Sequence, residues 1–174
     1  MIYLTNDSNK GVFFQRFHNL KLIDLNKDDY LLLIGDTGLS SDEAYESYYR
    51  LEWFDGEPYT TLVAPENVTE EERDRAFWNG GKASFIRTSI IRLYGNQIYE
   101  IDNLKFLVLN EASKLDNLVN LEVDYILATS LEAFETVKNK IKFKYCYIGE
   151  SNKAMPEDDS VILLDEDIQE IMSI

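Results

Sequence analysis

Gly35-Asp36 ends the apolar run Leu31-Leu32-Leu33-Ile34. Apolar residues followed by a glycine and an acid read as a buried strand that stops in a tight turn with one carboxylate at its tip. In α/β proteins such tips carry catalytic and ligand-binding groups. Asp36 is therefore the first candidate for chemistry. Two other reactive residue types are scarce. The single cysteine, Cys146, lies in the run Lys144-Tyr145-Cys146-Tyr147-Ile148-Gly149 and reads as a small buried hydrophobe, with no histidine near it in sequence to make it a nucleophile. The only histidine, His18, falls in a segment of helical spacing and reads as a partly exposed helix residue.

The elements that must position Asp36 follow from pattern. Residues 2–5 make a short apolar strand. Residues 12–25 place Phe13, Phe17 and Leu20 on one helical face. The strand of residues 30–36 comes next. Ser40-Ser41-Asp42-Glu43 is a capping box that opens a helix running to about Phe54, broken at Gly56 and Pro58. Residues 60–64 form a third strand, ended by Pro65. Thr69-Glu70-Glu71-Glu72 reads as a second capping box. From Gly80 onward, short runs rich in branched and aromatic residues alternate with Gly, Asn and Asp, as in Asp102-Asn103, which is a strand-and-turn pattern. Residues 123–130 and 144–151 add strands, with helical spacing over 131–141 between them. The expectation is a single α/β domain over residues 1–174: early strands separated by helices, then a meander of mostly antiparallel strands.

The chain has 174 residues, 45% hydrophobic and 13% aromatic, enough to bury a core and too apolar for disorder. Its net charge is -15. Such a surface repels nucleic acid and anionic membranes, so neither direct nucleic-acid binding nor membrane binding is expected. The acidity either keeps the protein soluble or directs it to a basic partner, imitating nucleic acid. One cysteine, no basic leader before an apolar stretch and no apolar run approaching ~20 residues point to the cytoplasm.

The order of elements and several fragments resemble the calcineurin-like metallophosphoesterases, in their small bacterial and phage-type branch. The fragments are MIYLTNDSN, DDYLLLIGDTG, PYTTLVAPEN, the stretch Trp78–Asp116, VDYILATS and YCYIGESNKA. The stretch from Trp78 is the most specific, with Gly80-Gly81 and the hairpin sequence Asn96-Gln97-Ile98-Tyr99-Glu100-Ile101. The resemblance implies a sandwich of two sheets flanked by helices, with the active site at the strand tips. It also implies two metal ions held by five motifs, and the chain departs from most of them. Gly-Asp-x-His-Gly reads Asn6-Asp7-Ser8-Asn9-Lys10, so Asp7 is kept and the histidine is Asn9. Gly-Asp is matched by Gly35-Asp36. Gly-Asn-His-Glu reads Pro65-Glu66-Asn67-Val68, so Asn67 stands where the leaving-group acid would be. The fourth histidine position is Thr129, and Gly-His-x-His reads Gly149-Glu150-Ser151-Asn152.

Two metals ~3.5 to 4 Å apart with a bridging hydroxide would perform the family's reaction, and imidazoles hold Mn, Fe and Zn there. With every histidine of the pattern replaced, the expectation is a pseudoenzyme with no catalytic residue and no resident transition metal. Its remnant site is Asp7, Asn9, Asp36, Glu66, Asn67, Thr129, Glu150 and Asn152. The resemblance would bring Asp7, Asp36, Glu66 and Glu150 together. They would then sit solvated, hold a hard ion such as Mg or Ca weakly, or accept Lys and Arg groups of a partner. The functional expectation is binding to a protein with a basic surface. In its sharper form, the chain is an acidic phage or mobile-element inhibitor of a nucleic-acid-binding host defence protein such as a CRISPR nuclease. The alternative is a Mg-dependent phosphodiesterase with a carboxylate-based site. A third reading is a binder of cations or polyamines in the old substrate pocket. The acidic, aromatic segment over residues 43–59 is either an interface or a helix with its aromatics in the core.

Overall fold

The structure is a computed structural model, and it describes residues 1–5, 25–35, 39, 45–64, 75–110, 120–149, 159–164 and 169–171. The predicted helix over 12–25 and both capping boxes lie outside these residues, apart from Leu25. Twelve strands and two helices are present among the described residues: β1 (Ile2–Thr5), β2 (Tyr30–Ile34), α1 (Tyr45–Asp55), β3 (Thr60–Ala64), β4 (Arg75–Trp78), β5 (Gly81–Phe85), β6 (Ile90–Leu93), β7 (Gln97–Ile101), β8 (Leu104–Leu109), β9 (Tyr125–Ala128), α2 (Leu131–Glu135), β10 (Tyr145–Ile148), β11 (Val161–Leu163) and β12 (Gln169–Ile171).

The strands form two mixed sheets. One has seven strands in the order β12-β1-β2-β3-β6-β5-β4, and the other has five in the order β11-β10-β9-β8-β7. Strands β1, β2, β3 and β6 run parallel, as do β8, β9, β10 and β11. The antiparallel meander expected for the second half is therefore confined to β4-β5-β6 and β7-β8. Parallel strands need crossover connections, and α2 lies in the one between β9 and β10.

Burial on both faces explains the continuous apolar strands. In β2, Leu32 and Ile34 face the other sheet, packing in one core with Phe106, Val108, Tyr125 and Leu127. Leu31 and Leu33 face outward into a second core with Leu51 and Phe54 of α1. On the far side, Ile126, Ala128, Cys146 and Ile148 pack outward against Ala133 and Phe134 of α2. The layers run helix, sheet, sheet, helix. Cys146 is fully buried, as its apolar context predicted.

Turn chemistry sets the hairpins. Asn79-Gly80 joins β4 to β5 and Asp102-Asn103 joins β7 to β8, each pair with positive φ. That is the two-residue turn whose twist matches the strands it connects. Tyr99 ties the hairpins together: its hydroxyl accepts from the Tyr94 amide at 2.7 Å and donates to the Lys82 carbonyl at 2.5 Å. Its ring lies where a side chain at position 81 would be, so Gly81 is required there. Two elements differ from expectation. β4 occupies residues 75–78, just beyond the second predicted capping box. The helix expected over 131–141 stops at Glu135, with Thr136 as its C-cap and turns following. The β-branched pair Thr136-Val137 disfavours another helical turn, and the Thr136 hydroxyl bonds back to the Ala133 carbonyl at 2.7 Å.

Candidate functional site

Parallel strands in a sheet end together. The C-terminal ends of β1, β2 and β3 are aligned by the pairs Thr5↔Leu33 and Ile34↔Ala64. Those of β8, β9 and β10 are aligned by Leu109↔Ala128 and Ile148↔Ala128. The two sets of tips meet where Gly149 packs on Ile34. A Cβ at Gly149 would lie 2.8 Å from the Ile34 carbonyl oxygen, so only glycine permits this approach. Gly35, with φ of 96°, then turns the chain off the end of β2, its amide bonded to the Ala64 carbonyl at 3.0 Å. The Gly35 and Gly149 steps, each followed by an acid in the sequence, thus sit at one end of the sandwich.

Of the remnant-site residues, Thr129 is described. Asp7, Asn9, Asp36, Glu66, Asn67, Glu150 and Asn152 lie outside the described residues. Thr129 follows the last residue of β9, and its amide bonds to the Leu109 carbonyl at 3.0 Å. The residue is fully buried, and its hydroxyl has no hydrogen-bond partner among the described residues. An unpaired buried hydroxyl costs about 1–3 kcal/mol. The next residue, Ser130, is committed to structure: its hydroxyl caps α2 by accepting from the Ala133 amide at 3.2 Å.

Asn110, buried just beyond the end of β8, is a tip residue that sequence reasoning passed over. A side chain at Gly95 would collide with it at 2.4 Å, so Gly95 makes the space that Asn110 fills. The polar residue directly after the apolar run of residues 106–109 was the available signal. Just below the tips, Tyr147 faces the inter-sheet core, where burial and the neighbouring phenols of Tyr125 and Tyr145 push its pKa up to about 12. It stays protonated at neutral pH and is no base. Among the described residues, no three His, Cys, Asp or Glu side chains gather as a metal site.

The opposite end of the sandwich is organised by two aspartates that sequence reading did not single out. Asp29 precedes β2 and is buried. Its carboxylate accepts from the Met1 ammonium at 2.7 Å and from the Asn26 amide at 2.8 Å. Burial raises its pKa, but the hydrogen bonds to the ammonium and the amide outweigh that, and the net shift is downward. Asp124 precedes β9 in the same way. It accepts from the Lys105 amide at 2.9 Å and pairs with the Lys144 ammonium at 2.8 Å. Those bonds, the amide first, hold its carboxyl below the usual range. The shared signal is Asp-Tyr at the start of a central strand in each sheet.

Comparison of the chain with protein-family models, with characterised proteins and with solved structures finds no match. Among the described residues, no helix is long and apolar enough to cross a membrane.

Proposed function

We propose that this chain is a metallophosphoesterase-like pseudoenzyme that works by binding another protein. The observation that supports this most is the pairing of architecture with residue type. Two sets of parallel strand tips meet through Gly149 and Ile34, yet the chain has a single histidine, His18, which matches none of the five motifs. A pair of transition-metal ions needs several nitrogen or carboxylate ligands held close together. Thr129 stands where the resemblance puts one imidazole, and a neutral hydroxyl is a poor ligand for such ions. The described tip residues therefore do not suit that metal pair, and no catalytic step is assigned to it.

The partner we propose is a nucleic-acid-binding protein with a basic surface, met by a chain of net charge -15. Complementary charge speeds encounter and sets specificity more than it adds affinity. The surface of α1 suits this role. Phe54 and Leu51 are buried, while Tyr48 and Tyr49 are half exposed beside the exposed Glu52. Tyrosines among acids are common at interfaces.

The test has two parts. Purified protein is assayed on an aryl phosphodiester across Mg, Mn, Fe and Zn, with metal content measured by elemental analysis. Turnover with any of these metals, lost on Asp36→Ala, would replace the pseudoenzyme reading with the carboxylate-based hydrolase. In parallel, capture from bacterial lysate at low and high salt is expected to recover a basic nucleic-acid-binding protein whose retention falls with salt. Recovery of only neutral or acidic partners, indifferent to salt, would overturn the partner.

A further inference from the structure

A chain with 32 acidic and 17 basic side chains has carboxylates in excess of its cations. Some stretches run the other way, and one of them borders a cleft. Residues 136–149 contain Lys138, Lys140, Lys142 and Lys144 and no acid. The fold gathers part of this stretch at the strand-start end of the five-stranded sheet. There, a cleft of about 360 Å³ is lined by Lys105, Glu122, Val123, Asp124, Lys142, Phe143 and Lys144.

The charges in this cleft are not equivalent. Asp124 is fully engaged, with one oxygen on the Lys105 amide and the other on the Lys144 ammonium. That leaves Lys105 and Lys142, both exposed, and neither ammonium has a carboxylate within 4 Å among the described residues. The cleft's other acid, Glu122, is exposed and its backbone bridges to Lys142. The cleft thus presents two ammonium groups to an anion.

We propose that this cleft binds a small phosphate monoester, its dianion held between the Lys105 and Lys142 ammonium groups. Charge count selects the ligand class. A carboxylate would answer only one of the two free lysines, whereas a phosphate monoester carries about -1.5 to -2 at neutral pH, and lysine binds phosphate as a point charge. Size and field select a small molecule. The volume is at the lower end of ligand pockets, and the chain's overall charge repels extended polyanions such as nucleic acid. Within the cleft, a compact anion is governed by the adjacent lysines, because charges beyond about 8 Å are screened at physiological salt. This site is independent of the proposed protein partner and lies at the other end of the sandwich from the strand tips.

Amide-resolved NMR titration of the full chain with inorganic phosphate, against sodium chloride of equal ionic strength, tests it. The expected result is saturable shifts at Lys105, Val123, Lys142 and Phe143 that chloride does not reproduce. The Lys105→Gln/Lys142→Gln double variant, which leaves the Asp124–Lys144 pair in place, is expected to weaken binding at least tenfold. A nucleoside monophosphate is expected to bind at least as well as phosphate, and a phosphoserine peptide less well. Equal shifts with chloride, shifts confined to the strand tips, or unchanged affinity in the double variant would each overturn the proposal. Tighter binding of the phosphoserine peptide than of the nucleotide would overturn the small-molecule assignment.

Discussion

The two ends of the sandwich are built on opposite rules. At the strand-start end, Asp29 and Asp124 each accept two hydrogen bonds, one from a backbone amide and one from an ammonium group. These carboxylates are structural clamps, holding the entry of a central strand in each sheet. At the strand-tip end, glycines set the approach of the sheets; among the described residues the buried Thr129 hydroxyl has no partner, and the same holds for the Tyr59 and Thr61 hydroxyls at the entry of β3. The start end is held by paired carboxylates, whereas the tip end is held by close packing of backbone on backbone.

The largest effect expected from this contrast is at the contact that joins the two sets of tips. Gly149→Ala would drive a methyl group into the Ile34 backbone, and it should destabilise the fold by about 3 kcal/mol, as overpacking of a rigid contact does. Urea unfolding measures it, and a loss below about 1 kcal/mol would mean that the tips are loosely apposed. Next comes the clamp end. Asp29→Asn should cost about 2 kcal/mol at neutral pH, the worth of a charge-assisted bond to a buried carboxylate. Because the pKa values of Asp29 and Asp124 are lowered in the fold, the unfolded chain takes up protons first as the pH drops. The stability they contribute is fully present above their ordinary value of about 3.9 and is lost as pH falls through the lower folded values. The Asp29→Asn/Asp124→Asn double variant should therefore show a flatter stability profile in that acid window, measured by thermal unfolding. An undiminished acid-side slope would place the responsible carboxylates elsewhere. The smallest effect has the opposite sign. Thr129→Val removes, at nearly constant shape, a hydroxyl without a partner among the described residues and should stabilise by about 0.5–1 kcal/mol. Destabilisation by that variant would mean that the hydroxyl is paired in solution.

Much of this arrangement was legible in the chain. The run Leu31–Ile34 is β2, Gly35 ends it with a positive φ, and residues 60–64, 104–109 and 125–128 are strands where their apolar runs stand. Asp102-Asn103 forms the turn that its residue types favour. Of the residues assigned to the remnant site, Thr129 directly follows the last residue of β9. Less legible were the boundaries at 131–141 and the strand at 75–78, where a capping signal stands close to a β-hairpin whose decisive element is the Asn79-Gly80 turn. The aromatic segment around Tyr48 divided between the two readings of it: Phe54 went to the core and the two tyrosines stayed half exposed.

The sequence by itself determined which segments are strands, where the chain turns and which chemical groups it has to offer. Those properties follow from side-chain polarity, backbone sterics and the simple presence or absence of an imidazole, all of which are local. Only the tertiary structure decided that β8 to β11 run parallel, that Gly149 rests on Ile34, that two aspartates clamp the strand starts, and that Lys105 joins Lys142 across 37 positions of sequence. Strand pairing joins segments distant in the chain, and the hydrogen-bonding groups of one strand are the same as those of any other. The partner of each strand is therefore set by how the whole apolar surface is buried at once, between two sheets and beneath two helices.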